Sequence, residues 1–195
     1  MTIDSTQVIN TLNGELTPFS EIHEFSSNPG IYAVGFTSGH FPFPAGEDIV
    51  KKGEIIYIGK TEKSQRSRDA HTHFKSGRTG SSTLRRSLGA ILRKELNLKP
   101  IPRSYSETRM RVYKFIEVSE IKFTEWMIDN LSLSYHAVFE GDRMLKYIEK
   151  TVIEQLSPIL NIQGNSSLNP YASMLKELRE KCRIIAKIDF ENINE

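Results

Sequence analysis

The sequence predicts an α+β fold, with a small, mostly antiparallel β-sheet flanked by helices. Three observations carry that reading. Runs rich in β-branched and aromatic residues recur at 30–37, 54–60, 110–118 and 131–139, the composition and alternation of strands. Apolar residues at helical spacing fill 83–96 and 142–156. The strands come mostly as neighbours, with short Gly- and Pro-marked returns between them, and the helices fall outside them. A chain of 195 residues, 38% hydrophobic and 26% charged, is long enough to bury one proper core.

In chain order, residues 1–28 form an N-terminal adaptor with a short helix near Ser5–Leu12. The first strand covers Gly30–Thr37. The loop that follows, SGHFPFPAGEDIVKKG, exceeds the usual strand connection, and long loops in compact domains tend to serve function. The second strand covers Glu54–Lys60. A polar, basic helix spans about Ser64–Lys75, with Thr61 and Ser64 as candidate caps. The turn SGRTGSS leads to a helix capped by Ser82 or Thr83, with Leu84, Leu88, Ile91, Leu92 and Leu96 on its apolar face. Pro100 and Pro102 interrupt the chain before a third strand at 110–118. A short helix opens near Thr124, a fourth strand covers 131–139, and an amphipathic helix runs from Asp142, its expected cap, to a stop at Pro158. Past the linker NIQGNSSLNP, a last helix covers 171–187. These divisions give a main domain at 29–162 and a linker plus C-terminal helix at 163–195.

Net charge is only +2, but its distribution is uneven. Residues 51–111 carry sixteen lysines and arginines against five acids, while the flanks are acidic. A basic stripe is the footprint of a phosphate-backbone binder, although a solvated helix face has the same composition. One cysteine, Cys182, excludes an internal disulfide framework and a Cys-based zinc cluster, and it is read as a buried helix residue. No apolar run is long enough to span a bilayer, and the N-terminus lacks the basic and apolar regions of a signal peptide. A cytoplasmic protein is expected.

The segment NPGIYAVGF carries Gly30-Ile31-Tyr32, and EIIYIGKT carries Tyr57-Ile58-Gly59. Two strands, each with a tyrosine, can bring both phenols to one surface. Lys60 and the helix SQRSRDAHTHF follow. Further on, YIEKTVIEQLSPILN places Glu149, Val152-Ile153, Pro158 and Asn161 at a spacing of its own. Taken together, these segments resemble the GIY-YIG nuclease superfamily, which includes homing, excision-repair, junction-resolving and restriction endonucleases. The resemblance covers about residues 29–162. It implies a metal-dependent DNA endonuclease, restriction-type or repair-type, acting on double-stranded DNA. A catalytically inactive nucleic-acid-binding module of the same fold is the alternative.

The resemblance also implies roles. Tyr32 and Tyr57 sit against the attacked phosphate, and one of them activates water. A free phenol has a pKa of about 10 and needs a neighbouring cation to favour the phenolate, for which Lys60 is the candidate. Arg68, with Arg66 in reserve, holds phosphate by its fixed fork. His71 or His73 serves as a phosphate contact or proton donor. The family spacing of four between arginine and histidine is met by neither Arg68–His71 nor Arg68–His73. Residues five apart on an α-helix fall on different faces, so a local shift is expected. Glu149 is the protein ligand to Mg²⁺ or Mn²⁺, a hard cation that keeps several waters beside one carboxylate. Asn161 holds the following loop or touches substrate. Glu154 is read as a surface residue. The basic stripe at 51–111, apart from the resemblance, makes Arg66, Arg78, Arg85, Arg86 and Arg93 the expected DNA contacts. One such site per chain implies a homodimer or sequential nicking if both strands are cut.

Overall fold

The computed structural model describes residues 5–14, 16–37, 41–46, 49–104, 112–139, 141–165 and 167–194, without the side chains of 67, 69–71, 142 and 189–194. Strand β1 (Thr17–Pro18) pairs with β6 (Leu131–Ala137), β6 with β2 (Gly30–Phe36), and β2 with β3 (Ile55–Thr61), every pair antiparallel. The α+β expectation therefore holds, with the sheet ordered β1-β6-β2-β3.

All seven residues of β2 are buried, as are six of the seven in β3. The reason is that helices cover both faces of the sheet, so continuous apolar runs replace simple alternation. On one face Ile31, Ala33 and Ile58 pack with Val8 and Leu12 of α1 (Ser5–Gly14) and with Leu145, Ile148 and Val152 of α4 (Asp142–Leu156). The other core gathers Val34 and Phe36 with Leu88 of α2 (Thr83–Leu92), Phe123 of α3 (Glu117–Asn130) and Leu175 and Cys182 of α5 (Ala172–Asn194). Cys182 is buried in a helix, as expected. Among the described residues no helix is long and apolar enough to cross a membrane.

Two elements differ from the sequence reading. The third strand does not join the main sheet. Of its described residues, Tyr113–Phe115 (β5) are extended, and they pair with β4 (Pro100–Pro102) in a separate two-stranded ribbon. The prolines tolerate this because the ribbon consists of two edge strands. Helix α3 begins at Glu117, seven residues before Thr124, because Glu120 of its first turns is fixed from several sides, as described below.

The two motif glycines have steric reasons. Tyr32 lies directly across from Gly59. A Cβ on Gly59 would overlap the Tyr32 hydroxyl and Cζ and lie 2.9 Å from Cε1. A Cβ on Gly30 would strike the His136 carbonyl and lie 2.6 Å from the Tyr135 hydroxyl. Each glycine leaves room for an aromatic ring from the neighbouring strand.

Strand β3 is the sheet's edge, and the segment after α4 covers it. Leu160 donates its N–H to the Ile56 carbonyl at 2.9 Å. The Asn161 amide completes the ladder, with Oδ1 accepting from Ile58 N–H and Nδ2 donating to the Ile58 carbonyl, both at 2.8 Å. Unpaired edge groups are thereby satisfied by one side chain.

Candidate active site

Beside this edge a cavity of about 400 Å³ is lined by Tyr32, Tyr57, Lys60, Arg68, Thr72 and Glu149, among others. The two tyrosines come from adjacent strands, with ring centroids 6.2 Å apart. Glu149 comes from α4, whose Ile148 and Val152 pack under the sheet.

The arginine and histidine are carried by a π-helix, Arg66–His73. Its i→i+5 bonding corrects the expectation that Arg68 and His73 diverge. In a π-helix, residues five apart are rotated less from one another than on an α-helix, and such turns are frequent at functional sites. The family's four-residue spacing is stretched by one residue while the face is kept. Arg68 Nε donates to the Tyr32 hydroxyl at 3.3 Å, and His73 Nε2 lies 2.7 Å from the same oxygen. Arg66 is exposed and does not line the cavity, so of the two arginines it is Arg68 that reaches the tyrosines. The side chain of His71 lies outside the described residues.

His73 is fully buried, which corrects its reading as a phosphate contact. Its Nδ1 meets Ser82 Oγ at 2.7 Å, and Ser82 Oγ also caps α2 by accepting from Arg85 N–H at 3.1 Å. Burial, then the charges of Arg68 and Arg85, hold its pKa well below the usual histidine range, so the ring is neutral at pH 7. Tyr57 moves the opposite way to the expectation for an activated phenol. Burial raises its pKa, against the lowering influence of Arg68, a hydrogen bond with Tyr32, and Arg86. Lys60 is not the cation that governs it. Lys60 pairs with Glu62 and instead bears on Glu149. The Glu149 carboxyl is raised by burial, while Lys60, Arg68 and the Lys60 backbone pull it down.

Glu149 fits a hard divalent cation. It is a half-buried carboxylate facing a polar cavity, and the other acid there, Glu62, is engaged by Lys60. Among the described residues no cluster of three or more His, Cys, Asp or Glu exists, so a cation here would be held by one carboxylate with waters and substrate oxygens. Residues 43–181 match the family description "GIY-YIG catalytic domain". The chain belongs to the GIY-YIG family. No curated protein and no solved structure matches it.

The match to this family of nucleases begins after β2 and runs into α5. Asn161, expected in the GIY-YIG site, is 6% exposed, and its amide is turned to Ile58, between Tyr57 and Gly59. It positions β3. The largest correction concerns Arg85, expected on the DNA face. It is fully buried and ion-paired to Glu120 at 2.9 Å, so no phosphate can reach it. Arg78 is exposed, and Arg86 and Arg93 are partly buried. Glu154 is a surface residue as expected, paired with Lys150 at 3.7 Å. The sequence reading missed Ser82 as the group that orients His73. The only signal was its place as a candidate helix cap.

Proposed function

We propose that this GIY-YIG chain is a divalent-metal-dependent endonuclease that hydrolyses phosphodiester bonds in double-stranded DNA. The supporting observation is the convergence of Tyr32, Tyr57, Arg68 and Glu149 on one cavity. A Mg²⁺ or Mn²⁺ ion held by Glu149 would supply charge stabilisation and leaving-group assistance.

The chain's own groups divide the remaining work. Arg68 offers its guanidinium to a non-bridging phosphate oxygen. Tyr32 is the general base, because its oxygen accepts from Arg68 Nε and shares a hydrogen bond with His73 Nε2, the neutral ring nitrogen that can take the phenol proton. As Tyr32 takes the proton of water, its own passes to His73 Nε2. An arriving phosphodiester brings negative charge beside Arg68, which offsets the cationic field on His73 and raises its capacity for that proton. Tyr57, held as a neutral phenol by burial, donates a hydrogen bond to the phosphate. Two environments drive two like groups to different tasks.

Supercoiled plasmid incubated with Mg²⁺ or Mn²⁺ tests this reading. Wild type should nick it, and Glu149→Gln should not, while DNA binding persists because it rests on lysines and arginines. A second readout is independent of turnover. Metal at 100 times its Kd should stabilise the wild type by about 2.7 kcal/mol and leave Glu149→Gln unmoved. The sign of the metal-free comparison follows from the raised carboxyl. Folded Glu149 holds its proton above the ordinary value of 4.5. Stability is therefore lost as pH rises from that value through the folded pKa, and above it the Gln variant should melt no lower than wild type. A Glu149→Gln protein that still nicks, or still gains stability from metal, would refute the ligand assignment.

A further inference from the structure

The reaction cavity does not stand alone. A second cavity of about 290 Å³ shares Tyr57 and Glu149 with it and continues past Thr83, Asn161 and Gln163. A third, of about 380 Å³, shares Ile162 with the second and ends against α5. Linked through these shared lining residues, the three cavities follow one another with cations at both ends. Lys60, Lys63 and Arg68 line the first cavity, and Arg86, Lys176, Arg179 and Arg183 line the third.

The cations at the α5 end are built into one surface. Lys176, Arg179 and Arg183 stand at i, i+3 and i+7, a single helix face. Arg86 reaches them from α2, its guanidinium fixed by donating to the Gly80 carbonyl at 3.1 Å and to Thr83 Oγ1 at 3.2 Å. The lining holds one acid, Glu180, and Arg183 engages it. Crowding like charges in a half-buried cleft costs free energy that an anion recovers. Consistent with that crowding, burial and then the charge of Arg179 lower the pKa of Arg86. The charge of Arg86 is also felt by Tyr57.

We propose that the α5 cleft is a second phosphate-binding site, in which Arg86, Lys176, Arg179 and Arg183 grip the backbone of duplex DNA flanking the bond to be cut. The inference rests on the nuclease reading above and adds a direction to it. The nucleic acid crosses Tyr57 and Glu149 and leaves toward the C-terminal helix, outside the basic stretch at 51–111. Arginine forks suit this task because they bind phosphate oxygens bidentately.

The test is a Lys176→Gln/Arg179→Gln/Arg183→Gln protein, changed at exposed or partly exposed positions, on a 30-base-pair duplex and on duplexes shortened stepwise from either end. On the long duplex the variant should bind about tenfold or more weakly, with the slope of log K against log[salt] reduced by about 2 to 3, near 0.9 per lost phosphate contact. Shortening one end should weaken the wild type and leave the variant unaffected, since both changes remove the same contact. Equal losses for both proteins on shortening, or an unchanged slope, would overturn the proposal. Methylphosphonate linkages placed in the flank check it without any mutation, and wild-type binding indifferent to them at every position has the same force. A wild type that binds and nicks DNA while failing these tests refutes the α5 site alone. One that neither binds nor nicks refutes the nuclease reading, and this site with it.

Discussion

Tyr32→Phe should lower the single-turnover cleavage rate by about 10²–10⁴, the usual cost of losing a general base. The expectation follows from where the hydroxyl lies. It is the only atom that both Arg68 and His73 approach among the described contacts, at 3.3 and 2.7 Å. The ring itself is fully buried between Gly59 and His73, and phenylalanine preserves that packing. Removing the oxygen leaves His73 Nε2 without its partner, which costs about 1–3 kcal/mol of stability. Cleavage must therefore be measured well below the melting transition of the variant. Tyr57→Phe supplies the contrast. Its phenol is held neutral, so its removal should cost a hydrogen bond to phosphate, a smaller loss with the pH–rate profile keeping its shape. Wild-type cleavage by Tyr32→Phe would eliminate the base assignment and the relay through His73.

What the sequence made legible was the part of the site that follows standard periodicities. The two tyrosine strands could be placed because their runs of β-branched and aromatic residues are bounded by Gly and Pro, and the glutamate helix because its apolar face is regular. The arginine–histidine pair could not be resolved, since spacing rules assume 3.6 residues per turn and the segment forms a π-helix. For Asn161 the sequence leaves open a hold on the following loop or a substrate contact, because nothing in a linear pattern says that an amide will complete a strand edge 103 residues earlier in the chain. The α5 cations were legible in principle at i, i+3 and i+7. They escaped notice because the acids interleaved with them hid the face within a mixed-charge run. Lys60 was misassigned for a related reason, since proximity in sequence to Tyr57 did not reveal its pairing with Glu62.

Arg85 shows most clearly how a charge count can mislead, and its replacement carries the largest expected effect on stability. Its Nη2 donates to Glu120 Oε2 and Thr124 Oγ1, both at 2.9 Å, and its Nη1 donates to the His73 carbonyl at 2.8 Å. The guanidinium carbon lies 4.6 Å from the centroid of the Phe123 ring. Glu120 in turn accepts from Thr79 Oγ1 at 2.9 Å and from the Gly77 and Phe115 N–H groups at 3.2 and 3.1 Å. The pair thus ties the end of the π-helix, the following turn, α3 and β5 together beneath the active site. Arg85→Met should cost about 3–5 kcal/mol, because it strands a buried carboxylate. For a chain of this size that is a fall in Tm of about 6–20 °C. Adding Glu120→Gln should recover part of the loss, since the amide removes the unpaired charge and keeps an acceptor for Phe115. Where the single variant remains folded, its DNA binding should keep the wild-type salt slope, unlike a protein stripped of the α5 cations. Denaturant melts of the two variants decide the matter. An Arg85→Met protein within about 1 kcal/mol of wild type, a size typical of surface changes, would show that this arginine is not the internal tie described here.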